Sequence, residues 1–362
     1  MEFGLFSLLP QRDISQPVGD VYRDTIDMVR LAEDIGFDVA WLAEHHFGNY
    51  CMCPSPLLLA SHLAAHTTRI RIGPAVLVLP LYHPLRVLEE IGMVDQLSGG
   101  RLVIGYGSGY QAFEFDRFGT ALDENWAMTH EVMDILEMGI DTGHVEYRGK
   151  YFQIPSTPIG VPTLQRPSPP VIVAGNQPDY LRRAARRGYR PIITVGPQGV
   201  EAQLKVREHV AKHYAMEGVG DDELPLAISR AIYVTDDRRE ALDAAERTLY
   251  TARLVMAFRG RYEKLNGSEV QLQPFDGEPT LEQVVENLPI GDPETVAEKI
   301  VAEVRANRPW HYAVFQQYGG IDGKRALRSL ERFGAEVLPL IDKELGGYRN
   351  FGPKLRQRAA AE

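Results

Sequence analysis

The run Phe3-Gly4-Leu5-Phe6-Ser7-Leu8-Leu9 gives way, after Asp20, to a stretch of helical period with Val21, Thr25, Met28, Val29, Ala32 and Ile35 on one face and Gly36 at its end. A strand feeding a capped helix is the unit, and counting its copies decides the fold. Further strand-like runs span Val39 to His45, Ile70 to Leu79, Leu102 to Tyr106, Val171 to Ala174, Pro191 to Val195, Leu226 to Val234 and Tyr312 to Gln316, eight in all with the first. Each is followed by an amphipathic stretch. Eight consecutive βα units predict an α/β protein, a closed (β/α)8 TIM barrel with insertions, with a doubly wound open sheet as the alternative.

The punctuation between the runs agrees. Pro84 is placed as a first helical residue before Leu85, Leu88, Ile91 and Val94, with Gly99 as the stop, and Pro178 opens a helix that Gly188 closes. Asp292-Pro293 opens another, carrying Val296, Ile300, Val301 and Val304. Val145 to Ile154 reads as a hairpin turning at Arg148-Gly149. Gly260 to Pro289, with three glycines, three prolines and little periodicity, is expected to be an irregular lid within one domain spanning 1–362.

At 44% hydrophobic and 24% charged, the 362 residues have the composition of an ordinary globule with ample core. The net charge of −10 and the absence of any run of five like charges argue against a nucleic-acid partner. With no basic segment before Glu2-Phe3-Gly4 and no apolar run near the ~20 residues of a membrane span, a cytoplasmic protein with no membrane contact is expected. Cys51 and Cys53, two apart, suit neither an unstrained disulfide nor a zinc site, so no metal is expected.

A barrel builds its site where strands end on the C-terminal face, so the polar residues closing each strand are the candidates. The second run closes Glu44-His45-His46-Phe47, the fourth Gly105-Tyr106-Gly107-Ser108-Gly109-Tyr110, the fifth Ala174-Gly175-Asn176-Gln177-Pro178 and the eighth Gln316-Gln317-Tyr318-Gly319. Strand alternation sends His45 to one side and Glu44 and His46 to the other, so one histidine faces the axis, either for acid–base work or as a satisfied core residue. Gly175-Asn176-Gln177-Pro178 runs from strand into helix with free N–H groups, a geometry that binds phosphate. The glycines at 105, 107 and 109 miss the dinucleotide fingerprint, whose third glycine falls at Tyr110, so they read as backbone kept thin beside a flat ligand or as a tight turn. Arg182, Arg183, Arg186 and Arg187 read as the solvated face of a helix.

The order of these motifs resembles the bacterial luciferase-like flavin-dependent monooxygenases. The resemblance rests on Met1 to Phe6, Gly36 to Phe47, Leu79-Pro80 to Arg86, Asp95 to Arg101, Pro169 to Ala174 and Gly291 to Thr295, and covers roughly residues 1 to 345. It implies a (β/α)8 barrel that binds reduced FMN, or in a sister branch the deazaflavin F420, and oxygenates a small organic substrate with O2 through a C4a-peroxyflavin. It implies too a separate NAD(P)H:flavin reductase and a homodimer. Carried over residue by residue, His45 and Glu44 fall at the catalytic position, and Tyr106, Gly107, Ser108, Gly175, Asn176 and Gln177 at the cofactor, most of them where the family holds the phosphate. Ala75-Val76 falls where the family has a non-prolyl cis peptide behind the isoalloxazine ring. The luciferases themselves have a cysteine in place of Gly107 and an arginine in place of Ser108, departures that argue against light emission from a long-chain aldehyde. Tyr82, Tyr106, Tyr110, Trp126 and Met256 are candidates for shaping the substrate pocket. The rivals are an F420-dependent oxidoreductase, a non-catalytic flavin-binding protein, and a sugar-phosphate lyase or isomerase, the last weakened by the want of a catalytic lysine at a strand end.

Overall fold

In the computed structural model, which describes residues 1–259 and 264–355, the main sheet is built from β1 (Glu2–Ser7), β2 (Val39–Leu42), β3 (Arg71–Pro74), β4 (Leu77–Val78), β5 (Ile104–Gly107), β6 (Val171–Ala174), β7 (Arg190–Ile193), β8 (Ala227–Ala231) and β9 (His311–Phe315). Their spatial order is β3-β2-β1-β9-β8-β7-β6-β5-β4, with parallel neighbours throughout. The two end strands, β3 and β4, are separated in the chain only by Ala75-Val76, and Ile72 bridges Leu102. The sheet therefore closes on itself as a barrel of eight staves, one of them broken.

Around it, in chain order, run α1 (Val18–Ile35), α2 (Pro56–Ala64), α3 (Pro84–Leu97), α4 (Ala112–Phe118), α5 (Asn125–Thr142), α6 (Pro178–Arg186), α7 (Val200–Ala215), α8 (Arg238–Arg259), α9 (Leu281–Asn287), α10 (Pro293–Asn307), α11 (Gly323–Arg332) and α12 (Leu338–Leu345). None is long and apolar enough to cross a membrane. The staves are buried on both faces and read as continuous apolar runs, as parallel strands do. Val39, Trp41, Val103, Ile172, Ala227 and Ala313, contributed by or flanking different staves, pack together inside the barrel, while a larger cluster fills the layer between sheet and helices. Contact between staves is close enough to demand glycine at position 73, where a Cβ would stand 1.8 Å from the Val103 carbonyl oxygen.

Several expectations change. α1 starts at Val18 with Pro17 in the cap position, so Asp20 sits in the first turn, where its charge favours the helix dipole, instead of capping. β2 ends at Leu42, leaving Glu44-His45-His46 beyond the ladder. The run Leu226 to Val234 also breaks: after β8, Tyr233–Val234 pairs with Ile290–Gly291 in a small parallel sheet of its own. The hairpin joins His144–Arg148 to Gln153–Pro158 through Gly149–Phe152, not at Arg148-Gly149. The stretch 260–289 is ordered where described: Lys264–Asn266 pairs antiparallel with Glu269–Gln271 and α9 follows, residues 260–263 lying outside the described residues. This hairpin docks on the loop after β2, the Asn49 N–H donating to the Ser268 carbonyl and the Val270 N–H to Asn49 Oδ1.

Candidate active site

Past Leu42 the chain keeps one ladder bond, Ala43 N–H to the Ser7 carbonyl, and then leaves the sheet. The next donors find other partners: the His45 N–H goes to the Cys53 carbonyl at 3.3 Å and the His46 N–H to Glu114 Oε1 at 2.8 Å. Side-chain alternation nevertheless persists. Glu44 and His46 share a side, with His46 Nε2 3.0 Å from Glu44 Oε1. His45 keeps the parity of Val39 and Trp41, which point inward.

Glu44 is buried and turned away from the barrel mouth. Its Oε2 accepts from the Tyr82 hydroxyl at 2.7 Å and the Val78 N–H at 3.2 Å. Burial pushes its carboxyl above the usual range, against the pull of the bonds from His46, Tyr82 and Val78. It braces the end of β2 against β4, across Ala75-Val76, whose peptide bond is cis. Tyr82 belongs to this brace.

His45 stands on the other side. Its Nδ1 is 3.1 Å from Glu114 Oε1 and 2.8 Å from Gln111 Nε2, and its ring packs against Tyr50 and Tyr110 at centroid distances of 4.6 and 5.7 Å. Tyr50 and Tyr110 are hydrogen-bonded to each other, and burial raises both phenols. Sequence reasoning missed Glu114, Gln111 and Tyr50. Gln111 stands at the N-cap position of α4 without a side-chain cap bond and Glu114 lies in its first turn, and nothing local in that short helix marks it as facing a histidine 69 residues earlier.

The ends of β5 and β6 are adjacent, Gly107 standing in register with Ala174. Gly107 presents bare backbone to the Val76 side chain, which a Cβ at 107 would meet at 2.4 Å. This leaves no room for the cysteine side chain that the luciferases carry. The Ser108 hydroxyl, beside the exposed Gly175 and Asn176 that lead into α6, donates among the described residues only to the Gly109 carbonyl at 3.3 Å. Gln177 spends its side chain within the chain, its Oε1 accepting the Tyr180 N–H at 2.7 Å to cap α6. The Tyr106 ring is turned away from this edge into the sheet–helix layer against Tyr189, and its carbonyl accepts from the Tyr180 hydroxyl at 2.7 Å. Trp126 packs on Tyr180 and Gly175, Met256 is exposed on α8, and Tyr110 alone of the pocket candidates touches His45. Arg182, Arg183, Arg186 and Arg187 pair with Asp179, Glu137, Glu217 and Asp141, but Arg183 is 13% exposed and held against α5 by Glu137 and the His130 carbonyl, so the row is in part an ionic seam between helices and not the solvated face expected.

A bare glycine backbone, a hydroxyl and the exposed Gly175-Asn176 turn suit a phosphate carrying a flat ring, although α6 itself opens on Pro178, which has no N–H, and spends the Tyr180 N–H on Gln177. One buried acceptor, Glu114 Oε2, and the end of the Gln111 amide turned away from His45 have no hydrogen-bond partner among the described residues, and both flank His45. The Ser108 hydroxyl and the Gly175-Asn176 turn would hold the phosphate of a flavin or deazaflavin there, with Gly107 and Val76 beside its ring.

Known proteins are similar to this chain in sequence and fold. The flavin-dependent trigonelline monooxygenase oxygenase component of Acinetobacter baylyi is 28% identical over 356 residues, spanning 95% of this chain and 96% of that one. The oxygenating constituent of 3,6-diketocamphane monooxygenase from Pseudomonas putida, solved in complex with FMN, superposes with a TM-score of 0.74 at 25% identity over 94% of this chain and 98% of that one. An F420-dependent secondary alcohol dehydrogenase shares the fold, with a TM-score of 0.71 at 18% identity over 94% and 98% of the two chains. The sequence profile of the luciferase-like monooxygenases matches residues 1–307, the barrel from β1 through α10. On that match the chain belongs to the luciferase-like monooxygenase family.

Proposed function

We propose that this protein is the oxygenase of a two-component monooxygenase, taking reduced FMN from a separate NAD(P)H:flavin reductase and using O2 to oxygenate a small organic substrate. The observation that carries this reading is His45, held at Nδ1 at the barrel mouth on the same face as the side-chain-free end of β5. Bound reduced flavin supplies two electrons to oxygen. The protein's share is to orient, to exclude water and to handle a proton. Ser108, Gly175 and Asn176 would hold the phosphate and Gly107 and Val76 border the ring, while His45 gives or takes a proton at Nε2. Phe113, Leu254, Phe258 and Val270 cluster with Tyr50 above the end of β2, an apolar roof that keeps water from the histidine. Glu44 supports His45 from behind.

A second copy of the chain is proposed to cover Leu58 on α2, Met93 and Leu97 on α3 and Leu164 beside them, all about half exposed or more. Sedimentation at micromolar concentration reads dimer if so.

Anaerobic titration with reduced FMN, followed by mixing with O2 and candidate substrates, tests the reading. Tight binding of FMN over the dinucleotide, with oxygen consumed in step with product, is expected. Turnover of reduced F420 without oxygen assigns the barrel to hydride transfer instead, and binding without oxygen consumption leaves only a flavin-binding protein.

A further inference from the structure

Glu114 is fully buried, yet it makes only half the hydrogen bonds a carboxylate can make. Oε1 takes the His46 N–H at 2.8 Å and stands 3.1 Å from His45 Nδ1, while Oε2 has no partner among the described residues. A carboxylate only accepts, so its contact with Nδ1 is a hydrogen bond when that nitrogen carries the proton. Gln111 presents its amide to the same nitrogen at 2.8 Å with its own oxygen unpartnered, and an amide offers either end. With the amide oxygen turned inward, both neighbours accept from Nδ1–H.

We infer that Glu114 is a positioning residue for His45: it fixes the ring and its Nδ1–H tautomer, so that Nε2 is the proton-accepting atom at the barrel mouth, and it stabilises the imidazolium formed there. One carboxylate thus sets two features of the site, because the bond to the His46 N–H also holds the backbone that carries His45 out of the sheet. The inference rests on the oxygenase reading only for what Nε2 then does. The groups facing His45 are Glu114 and Gln111 at the start of α4, Tyr50 and Cys51 from the loop after β2, and Tyr110 after β5, with the Arg259 guanidinium 4.9 Å over the Tyr110 ring from α8. Glu114 favours the imidazolium and Arg259 opposes it from behind Tyr110.

The test uses flavin-free, 15N-histidine-labelled protein, with the His45 ring assigned by its loss in His45→Gln. Long-range 15N–1H correlation of the wild type should show a protonated Nδ1 and a bare Nε2. In Glu114→Gln the ring should lose that single tautomer and show Nδ1–H and Nε2–H forms together, since an amide can donate to Nδ1 as well as accept from it. Glu114→Asp, which still only accepts, should restore the Nδ1–H form. A wild-type Nε2–H tautomer overturns the inference with no variant needed, and an unchanged tautomer in folded Glu114→Gln overturns it as well. Failure of the wild type to consume oxygen would sink the oxygenase reading and leave the tautomer result standing.

Discussion

Two histidines look into this barrel, and their surroundings have little in common. His45 stands at the mouth beside a carboxylate, an amide and two phenols, its Nδ1 engaged. His311, on β9 at the opposite end, is sealed: its Nε2 accepts the Trp41 indole N–H at 2.9 Å, the Trp310 ring lies at 4.9 Å, and a Cβ on Gly4 would strike its ring at 2.6 Å. Burial first, then Arg71, Arg190 and the N-terminal ammonium, lower the His311 pKa to about 3. Glu2, 3.9 Å from Nδ1, is too far to hold a proton there. The packing histidine that the sequence allowed at position 45 exists at position 311, with Nε2 satisfied by Trp41 and Nδ1 buried without a partner among the described residues. What separates a working imidazole from a packing one is which end of the stave it occupies.

The largest effect that can break this comparison is acid instability. A histidine near pKa 3 when folded and near 6.5 when unfolded refuses a proton that the unfolded chain accepts. Stability is therefore full above pH 6.5 and falls as pH drops toward 3, by on the order of 4 kcal/mol over the window. Urea unfolding of His311→Gln, which keeps an acceptor for Trp41, should be flatter than wild type across it. An equal slope would mean that His311 titrates normally.

Next in size is the brace behind His45. Glu44→Ala strands the His46 ring, the Tyr82 hydroxyl and the Val78 N–H, and should cost about 3 kcal/mol of unfolding free energy. Because burial raises the Glu44 carboxyl above 4.5, its contribution is present below that pH and lost as pH rises through the folded value. Glu44→Gln should remove that loss, seen as a smaller decline in melting temperature above pH 4.5.

His45→Ala should lower product per reduced flavin by about tenfold with little change in flavin affinity or melting temperature. Unchanged oxygen-to-product coupling would erase the distinction between the two histidines. His46→Ala, on the other side of the chain, should show the smallest effect: about 1 kcal/mol of stability and near-normal coupling, read by the same pair of measurements.

The barrel was legible because parallel staves are apolar on both faces and the chain repeats them eight times between helix signals. That His45 faces away from Glu44 and His46 was legible from strand parity, even though the ladder stops three residues earlier, and the family resemblance picked His45 of the two. Glu114 was not, because a contact across 69 residues depends on how α4 folds back over the end of β2, which no local pattern records. Gln177 looked like part of an anion cradle because a capping side chain and a ligand-holding one have the same sequence signature. The 264–271 hairpin was hidden for a different reason: its strands are three residues each, too short to show alternation.

The pairing of β1 with β9, Glu2 opposite His311 through Phe6 opposite Phe315, bears on how the chain is made. On a ribosome adding roughly 5–20 residues per second, the first stave waits some tens of seconds for its outer neighbour to be synthesised. Throughout that interval one edge of β1 is without its partner strand, so the barrel cannot close before β9 is made.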